Sequence, residues 1–97
     1  MTNLRKLAKG QVCEIRLPGI CNGNPETTVL AHARIAGISG LGLKAPDALG
    51  AYACSDCHDA VDGRSNYGLS VFERRLALLE GVMRTQAKLI EMGLLRW

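Results

Sequence analysis

The alternation of apolar and polar positions in the first half of the chain predicts three short strands. Residues 12–17 (VCEIRL) alternate apolar with polar, residues 27–35 (TTVLAHARI) are rich in β-branched and apolar side chains, and residues 49–53 (LGAYA) form a short apolar run. Such patterns are typical of strands. Turn residues follow the first segment at Pro18 and Gly19. We expect the second and third segments to pair as a β-hairpin.

Two helices are predicted after the last strand. The first covers about residues 55–62 and stops at Gly63, because glycine is the usual residue just past a helix C-terminus. The second covers about residues 70–92, with Ser70 and Glu73 in a capping-box pattern. Its apolar positions recur at helical spacing: Phe72, Leu76, Leu79, Met83 and Ile90. We interpret these positions as core that packs on the cysteine-bearing half of the chain.

The composition leaves little material for a core. The 97 residues predict one domain over 1–97, with its core region over 12–66. Eleven residues are glycine, which increases the backbone entropy that folding must overcome. Aromatic residues make up only 4%, so few large side chains are available for the core. Small domains of this kind often need a staple, and the four cysteines are the obvious one.

The net charge and the absence of long apolar segments bear on the compartment and the partners of the chain. The N-terminus (MTNLRKLAKG) has no apolar signal segment, and no run is long enough to span a membrane. We therefore expect a cytoplasmic protein with no membrane partner, where thiols stay reduced and cysteine clusters more often bind metal. The formal net charge is +3. That charge is compatible with nucleic acid and equally with an ordinary solvated surface.

The cysteines fall into two pairs that predict a structural zinc site. Cys13 and Cys21 flank a turn, and Cys54 and Cys57 have the Cys-x-x-Cys spacing. Two distant pairs joined by the fold are the usual plan of a four-thiolate zinc site, which stabilises the fold directly. Two disulfides, a redox-active Cys-x-x-Cys, or iron in a rubredoxin-like site are the alternatives. A zinc closed by four thiolates has no open position, so any catalysis must come from other residues.

The chain has two histidines. His32 lies near the end of the second predicted strand. His58 directly follows Cys57 and forms an i, i+4 pair with Asp62 on one helix face. A hairpin followed by a helix is expected to bring His32 opposite His58. Histidines are also common on surfaces and in cores without a chemical role, and for His32 alone that interpretation stays open.

These residues resemble the HNH, or ββα-metal, nuclease family. The resemblance rests on the sequence LAH at residues 30–32 and on ACSDCHD at residues 53–59. The whole chain is also similar to small prophage-encoded YbcO-like nucleases, with matching stretches at residues 13–27, 30–34 and 53–59. The resemblance implies an α+β fold: a small zinc-stapled ββα (HNH-like) domain with a long C-terminal α-helix.

The resemblance also implies roles for single residues. In the HNH mechanism a histidine activates water while a divalent cation stabilises the scissile phosphate. Carried over by position, His32 is the general base and His58 a ligand of Mg²⁺ or Mn²⁺, so both are candidate catalytic residues. Three carboxylates are the further candidate ligands of that cation: Asp62, Asp47 and Asp59. Two cations are candidate phosphate contacts: Arg34 and Arg64.

One position departs from the family pattern and keeps two functions open. Many HNH proteins carry a metal-binding Asp or His immediately before the catalytic histidine, whereas this chain has Ala31. The leading hypothesis is a hydrolase, a metal-dependent endonuclease that binds and cleaves DNA. The alternative is a non-catalytic zinc module that binds DNA or a phage or host protein. A homodimer through the C-terminal helix is a further candidate, because a weakly basic small domain offers few phosphate contacts to duplex DNA.

Overall fold

The computed structural model describes residues 3–33, 45–64 and 67–95. In chain order the helices and strands are α1 (Leu4–Leu7), β1 (Val29–His32), β2 (Gly50–Ala53), α2 (Ser55–Asp62) and α3 (Val71–Glu91). Single 3-10 turns occur at Pro25–Thr27 and Asp47–Leu49. The predicted order of hairpin, short helix and long helix is confirmed, and the fold is a small α+β domain. None of the described helices is long and apolar enough to cross a membrane.

β1 and β2 form a two-stranded antiparallel sheet in which His32 lies opposite Gly50. Successive side chains of a strand point to opposite faces of the sheet. Ala31 accordingly packs in the same buried cluster as the cysteines. Leu30, on the other face, packs in a second cluster with Tyr52. The hairpin therefore separates the cysteine-bearing core from a second small core, and His32 shares the face of Leu30.

Residues 12–17, predicted as a strand, do not form one. The Glu14 N–H donates to a carbonyl of β2 (2.7 Å). The carbonyls of Glu14 and Ile15 accept from the guanidinium of Arg84 on α3, at 2.6 and 3.1 Å. Arg16 has φ 55°, in the left-handed region that interrupts an extended strand. Burial does not follow the apolar alternation either, because Val12 is exposed whereas Cys13, Glu14 and Ile15 are all buried. The Arg84 side chain takes the place of a partner strand at two carbonyls of this segment.

Helix α3 begins with the predicted capping box. Ser70 Oγ accepts from the Glu73 N–H (3.0 Å), and the Glu73 carboxylate accepts from the Ser70 N–H (3.0 Å). These bonds satisfy amide groups that have no carbonyl partner in the first helical turn. Gly93 stands just past the other end with φ 74°, the left-handed conformation that commonly ends helices. The long C-terminal helix is therefore confirmed.

The interpretation of the large apolar residues of α3 as core is wrong. We call them the apolar stripe: Phe72, Leu76, Leu79, Met83 and Ile90. All five are exposed, Phe72 by 74% and Met83 by 71%. The buried face of α3 carries mostly smaller residues: Ala77, Gly81, Val82, Thr85 and Leu89. A Cβ at Gly81 would lie 2.7 Å from Ile15 Cγ1, so the absence of a side chain there lets α3 approach its neighbours closely.

Candidate metal centre and two histidine–aspartate pairs

The sulfur atoms of the predicted zinc ligands come together in the structure. The Sγ atoms of Cys13, Cys21, Cys54 and Cys57 all lie within 4.8 Å of one another. Cys21 Sγ and Cys54 Sγ are 3.9 Å apart, and all four residues are free thiols. A tetrahedral zinc with bonds of about 2.3 Å requires sulfur–sulfur distances of about 3.8 Å. The cysteine centre, as we call these four residues, can therefore hold a metal ion such as zinc.

Local hydrogen bonds place the first pair of cysteines beside the second. The Cys21 N–H donates to the Leu17 carbonyl (2.9 Å), which closes the turn that follows Cys13. Asn22 then donates from Nδ2 to Ser55 Oγ (3.2 Å) and to the Asp56 carboxylate (3.0 Å). These contacts fix the loop that carries Cys21 against the first turn of α2, so both halves of the cysteine centre are held by protein contacts as well as by any bound ion.

Cys54 has a second structural role at the junction of β2 and α2. It is the N-cap of α2, and its Sγ accepts from the Cys57 N–H (3.4 Å). Its carbonyl accepts from the His58 N–H (2.9 Å). The same residue therefore supplies a ligand atom and starts the helix that carries Cys57 and His58. This explains how a metal centre and a histidine come to share one short segment.

The thiols of the cysteine centre differ in acidity. A hydrogen bond from Cys57 to Cys13 lowers the pKa of Cys13 to about 4 and raises the pKa of Cys57. Burial raises the pKa of Cys21. Of these three thiols, Cys13 is the first to become a thiolate, and Cys21 and Cys57 lose their protons when a cation offers its charge in exchange. Metal binding here releases protons, so affinity for the metal rises with pH.

His58 and Asp62 form the predicted pair on α2. His58 Nε2 lies 3.2 Å from Asp62 Oδ2, so the i, i+4 proximity is confirmed. The Asp62 side chain is buried, with 8% exposed, and Arg64 Nη2 lies 3.3 Å from the same carboxylate oxygen. Arg64 Nη1 also lies 3.9 Å from Asp59 Oδ1. The candidate phosphate contact and the candidate carboxylate ligands are therefore neighbours at the C-terminal end of α2.

His32 forms a pair with a different aspartate. His32 Nε2 and Asp47 Oδ1 are 2.7 Å apart, and the His32 side chain is largely buried. Arg5 Nε, from α1, lies 3.7 Å from the other oxygen of Asp47. Arg5 was not predicted as a site residue. The sequence feature that places it is Asn3, whose side chain accepts from the Arg5 and Lys6 amides and caps α1.

The two pairs do not join into a second metal cluster within the part of the chain that the structure describes. Among those residues, the four cysteines are the one group of three or more His, Cys, Asp or Glu side chains that lie close enough together to hold one ion. Ala31 is buried and has no ligand atom. Arg34, the other predicted phosphate contact, lies outside the described residues. Among residues 3–33, 45–64 and 67–95, His58 and Asp62 thus do not form a group with a third His, Cys, Asp or Glu side chain close enough for one ion.

Comparison with known proteins assigns the chain to a family. A family model described as "Putative nuclease YbcO" matches residues 2–94. The chain belongs to the YbcO family. It is 46% identical over 96 residues to "Putative nuclease YbcO" of Escherichia coli strain K12, and equally so to "Putative nuclease ybcO" of Enterobacteria phage 82. Each alignment covers 99% of this chain and 99% of the relative.

A solved structure supports the same fold. It is described as the structure of a putative bacteriophage protein from Escherichia coli K-12 MG1655, with a TM-score of 0.78 and 41% sequence identity. The match covers 94% of this chain and 100% of that one. The YbcO family match, over residues 2–94, includes the cysteine centre and both histidine–aspartate pairs. These features therefore lie within the family's shared domain and not in an appended segment.

Proposed function

We propose that this YbcO-family protein is a metal-dependent endonuclease of the HNH type that hydrolyses DNA phosphodiester bonds. The observation that carries the proposal is the short contact between His32 and Asp47 at the end of β1. The description of the family as a nuclease family supports it. In this proposal the cysteine centre binds a structural zinc, and the reaction takes place in the cytoplasm, where thiols stay reduced.

His32 is the proposed general base. His32 Nε2 lies 2.7 Å from Asp47 Oδ1, so a neutral imidazole that donates from Nε2 to this carboxylate has Nδ1 available to take a proton from water. Arg5 lies beside the second oxygen of Asp47 and offsets part of its charge. We therefore assign Asp47 to the orientation of His32, in preference to the metal-ligand role that the sequence suggested.

His58 and Asp62 are the proposed ligands of a catalytic Mg²⁺ or Mn²⁺. Their facing atoms are 3.2 Å apart, which allows both to contact one cation. Mg²⁺ in proteins commonly takes one or two carboxylates and keeps several waters, so a site of two side chains that is completed by water and phosphate oxygens fits its chemistry. When bound, such an ion stabilises negative charge on the scissile phosphate and on the departing oxygen.

Arg64 is the proposed phosphate contact. It is held against Asp62 and Asp59, yet 60% of its side chain is exposed. If Asp62 turns to a cation, Arg64 loses that partner and is free to reach a phosphate oxygen, which suits the planar guanidinium. Arg34 remains the second proposed phosphate contact, and Asp59 remains a further candidate ligand.

A homodimer through the C-terminal helix is part of the proposal. Affinity for duplex DNA depends on the number of phosphates that basic side chains neutralise. One copy, with a net charge of +3, supplies few such contacts. Two copies side by side double the number of contacts and place two His32 centres on one duplex.

One observation favours the alternative of a non-catalytic zinc module that binds DNA or a phage or host protein. Ala31 stands where many HNH proteins have a metal ligand, and among the described residues no third His, Cys, Asp or Glu side chain groups with His58 and Asp62 around one ion. In that case the histidine pairs stabilise loops, and replacement of His32 leaves binding intact.

Cleavage of supercoiled plasmid tests the two functions. Zinc-replete protein is incubated with added Mg²⁺, with added Mn²⁺, or with no added divalent ion, and the zinc content is measured in each case. We expect nicking only with added ion, and a rate lower by about 10²–10⁴-fold for His32→Ala, because general-base catalysis commonly contributes that factor.

Glu91→Gln is the matched control, because Glu91 is an exposed acidic residue at the end of α3 and belongs to neither pair. It should cleave like the wild type. Equal background nicking by the wild type and His32→Ala contradicts the nuclease. Unchanged DNA retardation by both in a gel then supports the binding module.

A further inference from the structure

We infer that the apolar stripe of α3 is a self-association surface that joins two copies of the chain through parallel α3 helices. The stripe (Phe72, Leu76, Leu79, Met83, Ile90) lies on the side of α3 away from its buried face. This orientation follows from helical geometry, because Gly81 and Thr85 face the sheet whereas Leu79 and Met83 are turned by more than a quarter circle from each of them. The two domain bodies would therefore lie on opposite sides of a helix pair.

The spacing of the stripe is that of a two-helix seam. From Phe72 the apolar positions advance by four, three and four residues to Met83, which is the alternation of coiled-coil core positions. The next position of the series is Gln86, which donates to the Ala48 carbonyl of its own chain (2.8 Å). Ile90 then resumes the series. A contiguous exposed apolar surface of this kind on a small domain marks an interaction site.

The partner that fits the stripe is a second copy of the chain, because a basic residue on one edge of the stripe and an acidic residue on the other would meet across a symmetric pair of helices. Arg75 and Glu80 stand at the two edges of the seam, five residues apart. In a parallel pair the corresponding positions (g and the following e′) face each other across the seam. Two symmetric Arg75–Glu80 contacts therefore form between the copies. Neither side chain makes an ion pair with another described residue of its own chain.

The same charges oppose the antiparallel arrangement. With Leu76 of one helix beside Leu79 of the other, Glu73 would face Glu80 across the seam, and like charges at these positions are unfavourable. Glu73 is also fixed at its place by the capping box with Ser70, so it cannot turn away without loss of the cap.

A groove beside the stripe extends the contact beyond the two helices. It has a volume of about 380 Å³. Helix α3 forms one wall with Glu73, Leu76, Ala77 and Glu80, and the other wall consists of Leu17, Pro18, Ile20 and Leu69. Stable interfaces bury about 800 Å² on each partner, more than a seam of a few turns supplies alone. Side chains of the second copy that enter this groove contribute to the remainder.

The mass in solution tests the inference without reference to cleavage. Sedimentation equilibrium of the full zinc-loaded chain, from about 1 to about 300 μM, should show conversion of a 10.4 kDa monomer to a dimer. We expect Met83→Lys to weaken association at least about tenfold. Val12→Lys is the control, since Val12 is also exposed but lies outside α3. It should associate like the wild type.

A charge substitution tests the direction of the helices. Glu80→Arg should weaken a parallel dimer by placing it against Arg75 of the other copy, and the double variant Arg75→Glu with Glu80→Arg should restore it. In an antiparallel dimer Glu80→Arg would instead meet Glu73 and strengthen association. A strengthened dimer overturns the parallel arrangement, and circular dichroism establishes that each variant is folded.

Two outcomes overturn the surface itself. A mass that stays at that of the monomer over the whole range assigns the stripe to some other partner. A dimer that survives Met83→Lys places the interface elsewhere. The inference deepens the homodimer of the proposed function, so its failure removes the dimer from that proposal. Because the readout is mass, cleavage by the His32 centre is tested separately, and failure of cleavage leaves the dimer standing.

Discussion

The cysteine centre and the histidine–aspartate pairs differ in how completely the chain builds them. The cysteine centre has four ligand atoms from two distant segments, all within 4.8 Å of one another and mostly buried. The pairs have two protein groups each, with charged and exposed neighbours such as Arg64. Four protein ligands leave a metal ion no open coordination position for water or substrate, so a site of this kind is structural. A set of two protein groups with exposed neighbours leaves coordination positions for water and a phosphate, as the proposed hydrolysis requires.

The largest expected effect is loss of the fold when the cysteine centre is broken. Cys13→Ser removes a thiol whose pKa is lowered to about 4 by its hydrogen bond with Cys57, and structural zinc contributes about 10–16 kcal/mol in small zinc-dependent domains. We expect loss of bound zinc and of a cooperative thermal transition, measured by zinc analysis and circular dichroism. Val12→Ala, one residue away and exposed, should stay within about 0.5 kcal/mol of wild type. A zinc-loaded Cys13→Ser with normal melting contradicts the closed-site interpretation.

The second-largest effect is expected at Asp47. It distinguishes a residue that orients His32 from one that binds the catalytic cation. Asp47→Asn should slow plasmid nicking by about 10–100-fold, because groups that orient a functional histidine have effects of this size. Excess Mn²⁺ should not restore the rate, since Asp47 contacts His32. If the nicking rate of Asp47→Asn recovers as the Mn²⁺ concentration is raised, Asp47 is a metal ligand and does not act only by orienting His32. Zinc content and melting temperature should match those of wild type.

A third effect tests the support behind the cysteine centre without a change to any ligand. A methyl group in Gly81→Ala would lie 2.7 Å from Ile15 Cγ1 and 3.1 Å from Ala51 Cβ. Overpacking of this kind costs about 1–3 kcal/mol, of which helix propensity returns up to about 1. Chemical denaturation should show a less stable protein that still binds zinc. A more stable variant would mean that Ile15 has room to move.

The smallest effect is a pH dependence that arises at the capping box of α3. Hydrogen bonds from Ser70 in the capping box lower the pKa of Glu73 below its ordinary value of 4.5. A lowered pKa in the folded state contributes stability above the unfolded value that is lost as pH falls through the folded value. Glu73→Gln should therefore flatten the acid side of the stability curve slightly. Melting temperatures of both proteins between about pH 3 and pH 6 measure the difference, and parallel curves contradict it.

Local sequence signals predicted the features that short-range chemistry determines. The Cys-x-x-Cys spacing, the turn after Cys13 and the Ser70–Glu73 box depend on residues within a few positions of one another. The apolar stripe was misplaced for a different reason. Periodicity identifies an amphipathic helix and leaves open which face meets the body of its own chain. Here the sheet needs close approach, so Gly81 and Ala77 face it and the large side chains face outward.

The sequence also did not predict which residue pairs with His32. Asp47 is fifteen positions away along the chain, and nothing in the local pattern distinguishes it from Asp59 or Asp62 as a partner. Residues 12–17 show the same limit, because their alternation predicted a strand while the bonds to their carbonyls come from Arg84, about seventy positions later. Contacts of this range depend on topology, which periodicity does not encode.

Position 54 carries a trade-off that mutation cannot resolve in one step. Cys54 caps α2 with the same sulfur atom that belongs to the cysteine centre. Serine and aspartate are better helix caps than cysteine, but neither offers the thiolate that completes a four-sulfur site. Any change that improves the helix start therefore weakens the metal centre. Selection at this residue is expected to hold an inferior cap in place for as long as the fold depends on the metal.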